Sequence, residues 1–485
     1  MPPRQAGDRI SGVVTVAAAF LAYIILCVPL RDWLVDDAAI SMAYAANWTA
    51  GHGLVAQPGV PPVEGYSNFL WVAVLAALNL AGAMTPIGIK AVAGLLVLAS
   101  LISLHSTCKL LIPDRWPIRA IVLMLVATNS SIVTWTTSGL ENPLTLLFAS
   151  ELLRVVSLAG YRGGSSRDLV HAGILITAAA MTRPDGIALA AFPPLALMMF
   201  NRWDWRLLVP YAATIAALFG AFLTFRYATF GDWVPNTFHA KQAASFHLMQ
   251  SLEATVDLLA GPFSFAVVIP LLLVLALTQA RQGQERALVA PLCLTLVAGG
   301  VFALLPQDWM PDRRFGTAFL PAIFVLSGVV ANQVVASLVR FGLLVSLILL
   351  AGLGTTYRLG AQYSQPTVPM ALVARYSQMF DERAQLMKLQ NGSVLMPDIG
   401  AALLSSKLRV FDLAGLIDPV IARSLHSDKK RLHDYIFVEI RPTFIRTHGP
   451  WSEAAALDDD PRFRRDYVPI DEGTGRQARR SGGDP

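Results

Sequence analysis

The sequence has little charge for its length. Only 15% of its 485 residues are Asp, Glu, Lys or Arg, whereas 54% are hydrophobic. A soluble globule of this size needs more polar surface than this composition supplies. The composition therefore excludes a single soluble domain and predicts an integral membrane protein.

Cysteine is also scarce. Cys27, Cys108 and Cys293 lie inside or beside apolar runs, without the spacing of a metal site or a disulfide framework. We interpret them as packing residues. The net charge of +5 does not indicate a nucleic-acid partner, because the Arg residues are spread over short loops and form no patch with interleaved aromatics. Their arrangement indicates a role in membrane topology.

Long apolar runs are the dominant pattern. Runs of roughly 16 to 24 residues recur to about residue 355, and such runs are long enough, or nearly so, to cross a bilayer as helices. Arg4 and Arg9 precede the first run, Ser11–Leu30, and no cleavage motif precedes Arg31. This pattern predicts a retained signal-anchor with the N-terminus in the cytoplasm.

The predicted fold class is an all-α polytopic membrane protein with about 11 crossings and a small C-terminal α/β domain. The membrane domain covers 1–356, the C-terminal domain 357–470, and the polar tail 471–485 is expected to be disordered. The last crossing is expected at about 341–355. Tyr66–Ala83 and Ile89–Ile112 are both apolar, and we interpret one of them as re-entrant or half-embedded so that the charge pattern stays regular.

Basic residues occur at alternate loops, which is typical of cytoplasmic loops. These residues are Arg154, Arg162, Arg167, Arg202, Arg206, Arg281, Arg286 and Arg340. The opposite loops carry the unusual polar sequences, and the C-terminal domain is predicted on the same side. One face of the membrane is therefore expected to hold the functional site.

The outer loop 31–66 begins with the acidic pair Asp36 and Asp37, directly after the first apolar run. Two adjacent carboxylates at the edge of a bilayer are costly unless they are paired or used. The residues from Asp36 to Ala50 have helical spacing, and Gly51-His52-Gly53 ends the pattern. The pair is either the start of a surface helix or a functional site, and we favour the second interpretation.

Other outer loops contain polar residues, each of which has both a structural and a functional interpretation. Glu141 is either an acid in the first turn of a helix or a site residue. Arg183 either pairs with Asp185 or binds an anion. The same alternatives apply to Asp308, Arg313 and Arg314. His239 and Lys241 are either solvated loop residues or part of an anion site. Several cations at the depth of the lipid headgroups suggest a phosphate ligand carried by a lipid.

The C-terminal domain contains two short apolar segments that end in turns. Ser393–Gly400 and Leu408–Gly415 have the pattern of short buried strands. They are the basis for predicting a small α/β unit.

Taken together, the motifs resemble the bacterial GT-C glycosyltransferases that use polyprenyl-phosphate sugars. Within that group the sequence resembles the terminal arabinofuranosyltransferases of the actinobacterial cell wall and related pilin arabinosyltransferases. The motifs are Asp36-Asp37-Ala38-x-Ile40, Gly51-His52-Gly53-Leu54, Val63 to Trp71, Ser138-Gly139-Leu140-Glu141, Thr182 to Gly186, Val234 to Lys241, Asp308-Trp309-Met310-Pro311, Asp398-Ile399-Gly400 and Asp412 to Pro419.

The resemblance implies a polyprenyl-phosphate sugar donor, such as a D-arabinofuranose donor, and transfer to a hydroxyl of a glycan or surface protein. It places the site and the C-terminal domain outside the cytoplasmic membrane of a bacterium. It leaves the need for a divalent metal undecided. The implied catalytic residues are Asp36, with Asp37 in support, and Glu141. The implied donor-phosphate residues are His239, Lys241, Arg183, Arg313 and Arg314, and the implied substrate residues are His52, Glu64, Tyr66, Asn236 and Asp308.

The chemistry is coherent without the resemblance. A hydroxyl nucleophile needs a carboxylate to take its proton, and a phosphate leaving group needs only fixed cations. A lipid-linked-sugar flippase or transporter is the main alternative, but the sequence shows no two repeated halves. An oligosaccharide ligase or polymerase is a further alternative, for which a large late polar loop is expected instead of loop one.

Overall fold

The structure of the chain is a computed structural model. It describes residues 3–113, 115–241, 249, 252–254, 257, 285–305, 310–334, 354–471 and 476–479. Four predicted features lie outside these residues, wholly or almost entirely. They are Arg281, Arg340, Asp308 and the last crossing at 341–355.

The chain divides into two compact units. The first consists of Met1–Asp32, Pro86–Phe222 and Phe246–Thr367, and the second of Trp33–Thr85, Leu223–Ser245 and Val368–Pro485. This grouping does not follow the sequence boundary at 356/357, because loop one and the segment from Leu223 are grouped with the C-terminal residues.

The first unit is helical. Five of the described helices are long and apolar enough to cross a membrane, and two bent pairs raise the number to seven if each is one span. The predicted number of 11 crossings remains a prediction. The α-helices are Pro3–Cys27, Pro86–Leu111, Trp116–Thr128, Ser130–Thr137, Asn142–Arg162, Ser166–Thr182, Phe192–Met199, Trp205–Phe230, Arg286–Leu304 and Leu320–Val334, and the 3-10 helices are Val28–Leu30, Pro184–Ala191 and Pro311–Ala318.

Two sharp bends interrupt these helices. Trp116–Thr128 and Ser130–Thr137 meet at 50°, because Asn129 leaves the helical conformation and its side chain caps the second helix at the N–H of Ile132. Pro311–Ala318 and Leu320–Gln333 meet at 73°. Asp312 and Arg313 both have left-handed backbones, at φ 53° and 46°.

The core of the first unit consists of aliphatic side chains from most of its helices. Leu101, Val126 and Leu153 are completely buried within it. Polar side chains in this core pair with each other, as the hydroxyls of Tyr23 and Thr136 do at 2.9 Å. Burial of such surface is the main stabilising contribution to packing in water, and close packing replaces it within lipid.

The second unit begins with the loop-one helix, Asp36–Thr49, as the sequence predicted. The helix ends before Gly51 and Gly53, both at φ +84°, a conformation that glycine adopts without strain. The next helix, Phe69–Leu80, has 12 residues, fewer than the roughly 20 that a crossing needs. It agrees with the interpretation that one apolar segment in this region is only half-embedded.

The second unit also contains a five-stranded sheet. The strands are β1 (Ser393–Met396), β2 (Arg409–Asp412), β3 (Phe444–Arg446), β4 (Tyr467–Asp471) and β5 (Arg476–Arg479), in the order β2-β1-β3-β5-β4. β1 is parallel to β2 and β3, whereas β5 is antiparallel to β3 and β4.

The strands predicted at Ser393 and Leu408 are confirmed as β1 and β2. β5 lies within the segment 471–485 that was expected to be disordered, so that expectation fails for Arg476–Arg479, which pair with two strands. Short helices surround the sheet. The remaining helices of this unit are Asn236–Lys241, Met370–Leu386, Gly400–Ser405, Pro419–Ser424, Lys429–Asp434, Gly449–Ala455 and Pro461–Asp466, with a π-helix at Tyr435–Ile440 and a 3-10 helix at Leu457–Asp459.

Candidate active site

Asp36 is the first residue of the loop-one helix and is only 2% exposed. Its carboxylate accepts the backbone N–H groups of Gly400 and Ala401, each at 2.8 Å. These two residues begin the short helix Gly400–Ser405, which follows β1. The Asp36 backbone N–H is bound by the carbonyl of Val368 at 3.0 Å. Asp36 is therefore held by neutral backbone donors in the second unit.

The surroundings of Asp36 favour its protonated form. Burial raises the pKa of the Asp36 carboxyl to about 7, and the negative charges of Asp37 and Asp398 act in the same direction. The N–H groups of Ala401 and Gly400 oppose this rise but do not cancel it. A carboxylate whose pKa lies near neutral pH is suited to accept and release a proton.

Asp412, at the end of β2, is a second buried carboxylate of the same kind. Burial raises the pKa of Asp412 to about 7. Its oxygens accept the N–H groups of Ala414 at 2.8 Å and Ile417 at 3.2 Å. These bonds hold the turn that follows the strand, so a high carboxyl pKa alone does not identify a catalytic residue.

Glu64, a predicted substrate residue, lies in a buried ion pair. Arg226 donates to its carboxylate from Nε at 2.7 Å and from Nη2 at 3.2 Å. Glu64 is 2% exposed and Arg226 5%. The two-point contact fixes loop one to the end of helix Trp205–Phe230 within the second unit.

Asn236 and Tyr66 are also engaged within the fold. The Asn236 side chain donates to the carbonyls of Gly415 at 2.7 Å and Leu416 at 2.9 Å. The Tyr66 ring is buried and packs edge-on against Tyr44, with ring centroids 4.8 Å apart. These contacts order the loops of the second unit.

The other predicted residues of the second unit are more accessible. His52 is exposed on the turn between the two glycines. His239 contacts Asp232 at 2.9 Å through Nε2, and Lys241 is exposed at the end of helix Asn236–Lys241. The exposed residues remain accessible to a ligand.

In the first unit, Glu141 belongs to an ion-pair cluster. Arg183 contacts Glu141 at 3.2 Å and Asp185 at 3.0 Å. Glu141 is 4% exposed. Arg183 thus makes the pair with Asp185 that the sequence suggested, and it also holds the predicted second-loop acid.

Two guanidinium groups contact the Phe315 ring. Arg183 lies 3.8 Å and Arg314 4.8 Å from its centroid, at the distance of cation–π interactions. Arg183, Asp185 and Phe315 line a small pocket whose other walls are mainly apolar. The remaining lining residues are Thr145, Ala179, Gly186, Leu189, Ala298, Val301, Phe302, Leu305 and Ala318.

The left-handed residues Asp312 and Arg313 lie in the same loop. Asp312 accepts from Ser130 at 3.2 Å and lies 3.7 Å from Arg358. Arg313 donates to Asp257 at 3.1 Å. Non-glycine residues in this conformation cost about 1–3 kcal/mol each and are concentrated at functional sites. The loop is therefore held in a strained form by ion pairs.

A metal site was left undecided by the sequence. Within the described ranges, no group of three or more His, Cys, Asp or Glu side chains is placed to hold a metal ion. The oxygens of Asp36 are bound to N–H groups. A divalent metal is therefore not confirmed by the described residues.

Sequence reasoning did not assign a role to Arg226, Arg446 or His448. Arg226 lies near the end of an apolar helix, where an ionisable residue is a functional candidate by default, and that signal could have found it. Asp398 was noted only as part of a motif. The contacts of Arg446, His448 and Asp398 depend on strand order, which no local pattern reveals.

Comparisons with known proteins agree with this architecture. No protein-family model and no curated protein matches the sequence. Among solved structures, ArnT from Cupriavidus metallidurans, bound to undecaprenyl phosphate, is similar with a TM-score of 0.57 at 14% identity, over 90% of this chain and 96% of that chain. The Archaeoglobus fulgidus oligosaccharyltransferase, tethered with an acceptor peptide, has a TM-score of 0.56 at 12% identity, over 97% and 74%.

The mycobacterial arabinofuranosyltransferase AftD is also similar. Its mutant form has a TM-score of 0.50 at 15% identity, over 90% of this chain and 36% of that chain. All three neighbours are glycosyltransferases with the GT-C fold. The chain therefore has the GT-C fold, as the motifs suggested, and is a multi-pass membrane protein.

Proposed function

We propose that the chain is a membrane glycosyltransferase that transfers a sugar from a polyprenyl-phosphate donor to a hydroxyl group. The observation that carries the proposal is Asp36, a buried carboxylate with a pKa of about 7 at the start of loop one in a chain with the GT-C fold. ArnT, which shares the fold, has a structure bound to undecaprenyl phosphate, and this supports the donor class.

Asp36 serves as the base in this proposal. The acceptor hydroxyl gives its proton to the Asp36 carboxylate as its oxygen forms a bond to the anomeric carbon. The bond between that carbon and the phosphate oxygen breaks, and its electron pair leaves with the phosphate. Asp37 supports Asp36. Glu141 contributes by holding Arg183 through their ion pair.

The leaving phosphate needs cations and no acid. We assign this role to Arg314 and Arg313, together with Lys241 and His239. The small pocket beside Phe315 supports a donor site in the first unit, because it places Arg183 beside apolar side chains. Arg183 has a more structural role, since two carboxylates already hold it.

The sugar that we assign to the donor is a pentose such as D-arabinofuranose. The acceptor is a cell-envelope glycan or surface protein on the outer face of a bacterial cytoplasmic membrane. The arabinofuranosyltransferase motifs of the sequence support the sugar, as does the fold shared with AftD over 90% of this chain. An oligosaccharyltransferase has the same fold, so the fold does not choose the acceptor.

The test is direct transfer. Purified protein in detergent is incubated with a radiolabelled polyprenyl-phosphate pentose, the corresponding hexose donor, and a panel of glycan and peptide acceptors. We expect label to move from the pentose donor to a glycan acceptor in an Asp36-dependent manner. Transfer from neither donor to any acceptor would contradict the proposal, and transfer from the hexose donor alone would contradict the pentose.

Orientation is tested separately. Single cysteines in place of the exposed His52 and Lys407 should react with a membrane-impermeant reagent in intact cells, whereas one in place of the exposed Arg162 should be shielded. The opposite labelling pattern would reverse the proposed orientation.

A further inference from the structure

Two parallel strands of the second unit bring polar residues to one edge of the sheet. Asp398 follows β1, and Arg446 ends β3, with His448 two residues later. Because β1 and β3 are parallel neighbours, their carboxyl ends meet at this edge. The carboxyl edge is where open α/β sheets place their functional groups.

The three side chains contact one another. His448 Nε2 lies 2.5 Å from Asp398 Oδ2, and Arg446 Nη1 lies 3.8 Å from the same oxygen. The Arg446 guanidinium lies 3.8 Å from the centroid of the Tyr376 ring. The backbone N–H of His448 donates to the Ser452 hydroxyl at 2.7 Å. The imidazole and the carboxylate are thus fixed from several elements.

This cluster is adjacent to Asp36. Asp398 lies two residues before Gly400, whose N–H binds the Asp36 carboxylate, and the charge of Asp398 acts on Asp36. Helix Gly400–Ser405 carries no titratable side chain, nor does Phe69–Leu80, which also packs on the loop-one helix. Helix Met370–Leu386, packed against both, carries Arg375, Tyr376, Asp381, Glu382 and Arg383.

We propose that Asp398 and His448 are positioning residues for the proposed transfer: the charge of Asp398, together with the contacts that His448 and Arg446 make to it, sets the charge state of Asp36. This inference rests on the proposed function for its activity test. Neither residue touches the reacting atoms. The charge of Asp398 opposes ionisation of Asp36, and the contacts from His448 and Arg446 weaken that effect.

Two substitutions should therefore shift the acid limb of the pH–rate profile in opposite directions. Asp398→Asn removes a negative charge beside Asp36, so the acid limb of the pH–rate profile should move to lower pH. His448→Gln leaves the Asp398 charge less compensated, so the acid limb should move to higher pH. If Asp398 and His448 had only a structural role, both substitutions would lower the rate without shifting either limb of the pH–rate profile.

The same unit offers a matched control. His433 contacts Asp460 at 3.3 Å through Nδ1, which is a second pair of the same chemistry. His433→Gln and Asp460→Asn should leave the acid limb at its wild-type position even if they reduce stability. They separate a charge effect on Asp36 from a general loss of folding.

A second measurement does not depend on turnover. The carbonyl band of the buried Asp36 carboxylic acid is followed by infrared difference spectroscopy as pH is varied, and is assigned by its loss in Asp36→Asn. We expect its midpoint near 7 in the wild type, the value to which burial raises the pKa of Asp36, and we expect the midpoint to fall in Asp398→Asn and to rise in His448→Gln.

The outcomes separate the two proposals. Opposite shifts of the infrared midpoint support the positioning role even if no sugar is transferred, in which case only the proposed function fails. Midpoints unchanged in both variants, or shifted in the same direction, would overturn the positioning role while leaving the proposed function intact.

Discussion

Glu141 in the first unit and Asp36 in the second are buried carboxylates that are held in different ways. Glu141 and the half-buried Asp185 are bound by the guanidinium of Arg183, as Glu64 is by Arg226, so opposite charges compensate. Asp36 in the second unit is bound by two neutral N–H groups, with negative charges nearby. Compensated charges stay ionised and fix structure, whereas an uncompensated carboxylate changes protonation near neutral pH. The contrast separates a structural cluster from a candidate base.

The largest expected effect is that of Asp36→Asn on transfer. The variant loses the proton acceptor, and removal of a general base typically lowers the rate by about 10² to 10⁴. Asp37→Asn should lower it less. Steady-state transfer assays with the wild type alongside measure the effect.

Asp412→Asn is the matched control for that variant. Asp412 is equally buried, accepts two backbone N–H groups and has a pKa of about 7, but it belongs to a turn. Any cost of placing an amide against two N–H donors is common to both variants. Equal loss of transfer in both would remove the distinction between Asp36 and Asp412.

The next effect concerns stability of the first unit. Arg183→Gln leaves Glu141 and Asp185 without their cation, and breaking a buried ion pair costs about 3–5 kcal/mol. Denaturant unfolding in detergent measures the loss. Arg31→Gln is the control, because Arg31 and Asp32 form an exposed pair worth less than about 1 kcal/mol. A loss of stability in Arg183→Gln as small as that in Arg31→Gln would show that the Arg183 cluster is not structural.

Gly400→Ala probes how closely the second unit packs around Asp36. A Cβ at this position would lie 1.9 Å from the Asp36 carbonyl oxygen, so the backbone must shift. We expect a loss of about 1–3 kcal/mol together with slower transfer. Gly360→Ala, where no atom lies within 4 Å of the new Cβ, should change neither. If Gly400→Ala had the stability and turnover of the wild type, this would contradict the close approach of Gly400 to the Asp36 backbone.

The smallest effect is on donor binding. Arg314→Gln should weaken binding of a polyprenyl phosphate about tenfold, which corresponds to about 1.4 kcal/mol, with poor rescue by Arg314→Lys, because an ammonium cannot form the two-point contact of a guanidinium. Direct binding of labelled polyprenyl phosphate, without turnover, measures it. Arg423→Gln, at an exposed arginine of the second unit, is the control. Unchanged affinity in Arg314→Gln would remove this residue from the donor site.

Local features of the fold were predictable from the sequence. The loop-one helix follows from apolar spacing and two glycines, and strands β1 and β2 follow from short apolar segments that end in turns. The motifs also indicated the GT-C fold. These features depend on residues within about one helix or strand of one another.

The partners of the site residues were not predictable in the same way. Glu64 and Arg226 are separated by 162 positions, and Asp398 and His448 by 50. Their contacts arise only when loop one, a long helix and the sheet pack together. The β5 strand was missed because its polar composition resembles disorder, and only pairing with β3 and β4 orders it.

The contact between Asp36 and Gly400 also bears on how relatives could be recognised. The two residues are 364 positions apart, and each restricts the other, since a side chain at Gly400 would collide with the Asp36 backbone. We therefore expect a glycine after the first strand of the sheet in any relative whose loop-one helix packs equally close to that strand. Searching genomes for the short motifs Asp-Asp-Ala and Asp-Ile-Gly at this wide separation would find relatives that overall sequence identity does not reveal.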